Sequence, residues 1–180
     1  MAQANNIIRI ALIGPESTAK STLSELLAKK FNTVWVKEYS REYLSTLTEK
    51  YSLQDVLAIA KEQLEREKKA MNYANTFLFA DTELILSKVW CEDVFHTCPE
   101  WIINNIVPHK YDLYLLTYPD LPWEEDKYRE NPNRRLFFFD WYEKELKSIR
   151  ANYSIIKGEK EERFLNCIQE IEKFVSHTKN

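Results

Sequence analysis

The sequence predicts an α/β protein: a doubly wound parallel sheet of about five strands with helices on both faces. Three observations carry this. Short apolar runs alternate with longer segments of helical period along the whole chain. The strand candidates are continuous apolar runs rather than alternating ones, as strands covered on both faces must be. No period of 20–50 residues and no low-complexity linker divides the 180 residues, so residues 1–180 are expected to form a single domain.

Element by element, 7–13 reads as a buried strand, followed by a helix from Lys20 to about Phe31 with Leu23, Leu26 and Leu27 on one face. Val34–Lys37 is the next strand, and 40–47 begins another helix. Leu53 to about Tyr73 forms a long charged helix, with Glu62/Arg66 and Glu65/Lys69 in the favourable i,i+4 order. Thr76–Ala80 (TFLFA) is a third strand ending at Asp81. Residues 84–94 and 100–106 read as helices, the second with Pro99 at its start. Leu113–Thr117 (LYLLT) is a fourth strand. The segment 118–133 is polar, rich in Pro and charge and without period, the marks of a functional loop. Helix 136–149, strand 153–156 and amphipathic helix 161–175 complete the chain.

The formal net charge of −3 argues against a broad nucleic-acid-binding surface. The odd count of three cysteines, with no CxxC pair, points to a reducing, cytoplasmic setting. Met1–Asn6 is polar and lacks the basic start of a signal peptide, and the apolar run after it is interrupted by Arg9 and too short to span a bilayer. Cys91, His96 and Cys98 supply only three potential metal ligands, in no structural zinc spacing.

Chemistry concentrates in ALIGPESTAKSTL at 11–23, between a strand and a helix. There, consecutive backbone N–H groups can converge on phosphate at a helix N-terminus. Gly14, Glu16, Ser17, Thr18, Ala19, Lys20, Ser21 and Thr22 are the candidate triphosphate ligands, with Pro15 excluded as a donor because it has no N–H. Lys20 neutralises the outer phosphates, and the Ser21 hydroxyl is placed on Mg²⁺. Ala19 stands where the pattern has its second glycine; a positive φ there strains it by about 1–2 kcal/mol.

Glu38 and Asp81 follow strands at the sheet edge where doubly wound folds bind ligands. Phosphoryl transfer needs a metal ligand and a carboxylate for the acceptor hydroxyl. Asp81 is assigned to Mg²⁺, directly or through water, and Glu38 to the acceptor, although the sequence leaves these roles exchangeable and both could instead be helix caps. Arg41 can hold the substrate or Glu38 itself, and Glu83 reads as a helix-start charge. Arg129, Arg134 and Arg135 border the loop 118–135 and suit a lid closing over a triphosphate; the alternative is a solvated patch opposite Glu124, Glu125, Asp126 and Glu130. Trp123 can stack on an aromatic base or pack under the lid.

Taken with GPESTAKSTL, the segments EYSREYL at 38–44, FADTELI at 79–85 and YDLYLLTYPDLPWEEDKYRENPNRR at 111–135 make the chain resemble a known group. This is the ribosylnicotinamide kinase domain at the C-terminal end of the NadR family of bacterial NAD-biosynthesis proteins. The resemblance implies a P-loop kinase fold, ATP and Mg²⁺ as cofactors, and phosphorylation of the 5′-hydroxyl of nicotinamide riboside or a related nucleoside. It further implies that Glu38, Tyr39, Arg41 and Asp81 line the acceptor side, that the three arginines belong to the lid, and that 157–161 lies near the nucleotide base. The chain departs from the family at Ala19 and at Lys37, where members can carry an aromatic residue. With the phosphate loop 13 residues from the start, no regulatory or adenylyltransferase domain is expected, nor any repression of transcription. Ala19 and Lys37 motivate the alternative of a nucleotide-binding regulatory module with weak or no transfer.

Overall fold

The architecture grows from one buried strand. In the computed structural model, which describes residues 7–178, β1 (Ile8–Ile13) lies at the centre of the sheet with its last four residues fully buried. Met1–Asn6, the basis of the signal-peptide expectation, lies outside the described residues. After β1 come α1 (Lys20–Lys30), β2 (Val34–Val36), α2 (Ser40–Leu44), α3 (Leu53–Ala70) with a 3₁₀ turn at Met71–Tyr73, and β3 (Phe77–Asp81). Then follow α4 (Leu84–Phe95), α5 (Glu100–Ile106), β4 (Leu113–Thr117), α6 (Arg135–Ser148), β5 (Tyr153–Ile156) and α7 (Lys160–Thr178).

The five strands run parallel in the order β2-β3-β1-β4-β5. Side-chain alternation along β1 splits the interior in two. Ala11 and Ile13 face a core completed by Val56, Ile85, Val89, Ile102 and Phe139 from α3–α6, while Ile10 and Leu12 face Leu23, Leu27, Cys167 and Ile171 of α1 and α7. Helices thus cover both faces, as continuous apolar strands require. Among the described residues, no helix is long and apolar enough to cross a membrane.

Several boundaries differ from the sequence reading. Helix α2 stops at Leu44 rather than Leu47, because the hydroxyls of Ser45 and Thr46 donate back to the carbonyls of Glu42 and Tyr43 (2.7 Å each) and tighten the turn. A capping box between Ser52 and Asp55 opens α3. On α3, Arg66 pairs with Glu62 (3.1 Å) as expected, but Glu65 takes Lys68 (2.6 Å) rather than Lys69. β2 ends before Lys37, which is exposed and lies beside the Trp35 ring.

Candidate active site

The sheet order brings the carboxyl ends of β2, β3 and β1 side by side: β3 ends on Asp81, and the segments leaving β2 and β1 carry Glu38 and the phosphate loop. This is the crevice where a doubly wound sheet accepts ligands. Gly14 is required there: its φ is 147°, and an added Cβ would sit 2.3 Å from Thr117 Oγ1. Thr117, at the end of β4, donates to the Ile13 carbonyl (3.2 Å), and its hydroxyl lies 2.7 Å from that of Thr18, which donates to the Pro15 carbonyl (2.7 Å). The loop is therefore braced from a neighbouring strand.

Ser17 and Ala19 both adopt left-handed backbone (φ 54° and 66°). Ala19 is the residue before α1, and no side chain caps the first-turn amides, which leaves them available to an anion. Lys20 Nζ donates to the Pro15 carbonyl at 2.8 Å. Burial lowers the Lys20 pKa, and the carboxylates of Asp81, Glu38 and Glu16 act against that shift.

Asp81 is 1% exposed, and its Oδ1 has no hydrogen-bond partner. Burial and then the charge of Glu38 push its pKa up to about 6, against the pull of Lys20, Ser21 and Arg41. A buried carboxylate oxygen without a donor, beside a hydroxyl and below a phosphate loop, fits a hard divalent cation held through oxygen. Glu38 is half-buried; Ser40 Oγ donates to its Oε1 (2.6 Å), and the Arg41 guanidinium lies 3.7 Å from its Oε2. Glu83 caps α4 by accepting from the Ile85 amide (2.9 Å).

The segment between β4 and α6 folds over the loop. Glu16 accepts the amides of Glu130 (3.2 Å) and Asn131 (3.0 Å), the Glu124 amide donates to the Ser17 hydroxyl (3.2 Å), and Arg41 pairs with Asp126 (2.8 Å). The three arginines separate. Arg129 lines the cleft and acts on Lys20 through its charge. Arg134 lines it from the other end, bonded to Asp93 of α4 (3.0 Å). Arg135 turns behind the loop, donating to the carbonyls of Ser17 (3.4 Å) and Leu121 (2.8 Å), and is not among the lining residues. Trp123 lies by Arg135, and Tyr39 lies under the Arg66 guanidinium (4.0 Å) with its amide on Gln63; neither lines the cleft.

The cleft encloses about 1150 Å³ and includes side chains that sequence reasoning missed. Leu86, Trp90, Asp93 and Val94 form one stripe of α4 at helical spacing, facing Leu44, Tyr51, Phe138 and Tyr142. Trp90 Nε1 donates to the Tyr51 hydroxyl at 3.1 Å. The stripe was hidden because α4 is apolar around most of its surface. A second cavity of about 370 Å³ adjoins Ala19 and Thr22, between Leu23 and Leu26 of α1 and Lys160, Glu161, Arg163 and Phe164 of α7. Of the segment 157–161 expected near a base, Lys160 and Glu161 reach it.

Comparison with known proteins bears on the chain's relatives and fold. The chain is 28% identical over 169 residues to the trifunctional NAD biosynthesis/regulator protein NadR of Salmonella typhimurium, covering 89% of this chain and 41% of that protein. It therefore spans about two fifths of that relative's length. In fold it resembles a NadR protein crystallised with NR (TM-score 0.75, 21% identity, 93% of this chain and 51% of that one). It also resembles thymidylate kinase from Ehrlichia chaffeensis (TM-score 0.62, 15% identity, 91% and 98%). The family profile described as AAA domain matches residues 9–163, a span that takes in the phosphate loop, both strand-end carboxylates and the lid, and the chain belongs to that AAA domain family.

Proposed function

We propose that this chain is an ATP-dependent small-molecule kinase that phosphorylates the 5′-hydroxyl of nicotinamide riboside or a related nucleoside. The observation that carries the reading is that Lys20 and Glu38 line one cleft beneath the phosphate loop, while Asp81, buried behind the lining with a partnerless Oδ1, lies close enough to act on Lys20 and to feel the charge of Glu38. Its volume of about 1150 Å³ suits a donor and an acceptor together. The likeness to NadR, one of whose structures holds NR, supports the choice of acceptor.

In this reading the first-turn amides of α1 and Lys20 hold the polyphosphate. Glu38, oriented by Ser40 and Arg41, accepts the proton of the acceptor hydroxyl. Asp81 and Ser21 are the residues that would hold Mg²⁺, which when bound neutralises charge on the β- and γ-phosphate oxygens. Arg129 approaches the transferring group from the lid. Trp90, Tyr51, Phe138 and Tyr142 give the acceptor's ring an apolar, aromatic wall. Lys37, being exposed and outside that wall, does not oppose a cationic ring.

The test is a nucleoside panel with ATP and Mg²⁺, read as stoichiometric ADP formation and phosphorylated product. Lys20→Ala and Asp81→Asn are expected to lower kcat by about 10²-fold or more. Absence of phosphorylated product across the panel overturns the reading. The left-handed Ala19 favours one second reading, a nucleotide-binding regulatory module. Its signature is an ATP-induced thermal shift that depends on Lys20, with no acceptor-dependent turnover.

A further inference from the structure

We propose that Arg163 is a positioning residue that holds the pocket for the donor's base, so that it governs recognition of the nucleoside part of the donor rather than of its phosphates. This rests on the reading of 14–22 as a phosphate loop. Arg163 lies in the first turn of α7 with its side chain 1% exposed. A cation at a helix N-terminus opposes the macrodipole, and a long charged side chain is almost never fully buried without compensation. The compensation here is a set of three carbonyls. Nε donates to Gly158 (2.7 Å), one terminal nitrogen to Thr18 (3.1 Å) and the other to Tyr118 (3.1 Å), while Asp120 supplies the counter-charge. Asp120 also accepts the Gly158 amide (2.9 Å), closing a ring through the loop after β5. Gly158 is suited to that turn by its φ of 97°, and an added Cβ would lie 2.9 Å from the Glu162 carboxylate.

One guanidinium therefore ties together the end of the phosphate loop, the root of the lid and the loop after β5. These ties are not equally replaceable. The phosphate loop keeps Gly14 against Thr117, the Thr18–Pro15 bond and the first turn of α1 without Arg163. The lid keeps its bonds to Glu16. The loop after β5 keeps the Asn166 bond to the Lys157 carbonyl (3.0 Å), the bond of the Arg163 amide to the Glu159 carbonyl (3.4 Å) and the Lys157 ammonium over the Tyr118 ring (4.4 Å), but the described bonds of Gly158 itself both belong to the Arg163–Asp120 ring. Loss of Arg163 accordingly falls on the wall of the second cavity, where Arg163, Lys160, Glu161 and Phe164 face Leu23 and Leu26. That cavity lies beside Ala19 and Thr22, where the nucleoside end of a donor held by the phosphate loop would rest.

The experiment measures dissociation constants for ATP and for inorganic tripolyphosphate, which has no base, in the unmodified protein and in Arg163→Met, Arg163→Lys, Asp120→Ala and Lys20→Ala. Arg163→Met is expected to weaken ATP about tenfold or more while changing tripolyphosphate by less than about threefold. Arg163→Lys is expected to recover little, because an ammonium cannot span three carbonyls in the plane of a guanidinium. Asp120→Ala, a half-exposed position, is expected to show the same selective loss at about threefold, and carries the comparison if Arg163→Met does not fold. Equal weakening of both ligands, or unchanged ATP binding, overturns the proposal. If tripolyphosphate binds the Lys20→Ala variant as tightly as the unmodified protein, the phosphate-loop reading itself fails and the proposal falls with it.

Discussion

At the scale of single residues, Ala19 is the clearest tension between sequence and backbone. Its φ of 66° lies in the region that costs a residue with a Cβ about 1 kcal/mol relative to glycine. Ala19→Gly is expected to raise unfolding free energy by about 0.5–1 kcal/mol, net of the extra freedom glycine has when unfolded, and to leave ATP affinity equal or tighter. A urea titration and an ATP titration check both; lower stability in the glycine variant would show that the Ala19 methyl, which packs against the core beneath α1, outweighs the strain. The strain was legible as a conditional, since the position in the motif was plain from the sequence. The partner that makes Gly14 necessary was not, because Thr117 arrives from another strand.

Among the elements, the lid depends most on its contacts. Residues 118–134 contain no helix or strand, so their shape rests on contacts with other parts of the chain, among them those of Glu16, Ser17, Arg41, Asp93, Arg135 and Arg163. Burial raises the pKa of Glu16, yet its two amide contacts favour the carboxylate. Glu16→Ala is expected to speed tryptic cleavage at Lys127 and Arg129 several-fold and to lower kcat/KM for ATP about tenfold, with the rest of the chain cut no faster. Unchanged cleavage kinetics would mean that the remaining contacts hold the lid alone. Helices and strands were readable from periodicity because their burial repeats along the chain. Tyr39, Trp123 and Arg135 could not be placed by motif position, because the direction of a side chain depends on what packs next to it. Arg66 covers Tyr39, and the Ser17 and Leu121 carbonyls draw Arg135 behind the loop.

Across the whole molecule, buried carboxylates set the response to pH. Burial raises Asp81 to about 6, Glu67 to about 7 and Glu83 to about 8. A carboxyl whose folded pKa lies above its unfolded value is neutral in both states at low pH and costs stability once it must ionise in the fold. Stability is therefore lost as pH rises from the unfolded values near 4 through these folded values. Exposed carboxylates with lowered pKa, such as Asp55 under the Ser52 cap, act oppositely and destabilise the fold below about pH 4. The ligand-free protein is expected to melt at a higher temperature at pH 5.5 than at pH 8, by an amount on the order of 1–3 kcal/mol of stability. Calorimetry at the two pH values checks it, and a higher melting temperature at pH 8 would contradict the burial of these groups.

The chain alone determined the parallel α/β order, the phosphate loop and the strand-end positions of Glu38 and Asp81, because each of these is written in local period and spacing. Only the tertiary structure decided that β3 inserts between β1 and β2, which sets Asp81 beside Lys20 and Glu38 and leaves its Oδ1 buried without a partner. It also decided the α4 stripe and the burial of Arg163 against Thr18, Tyr118 and Gly158. Those arrangements join residues as many as 145 positions apart, and contacts at such separation leave no periodic trace in a single sequence.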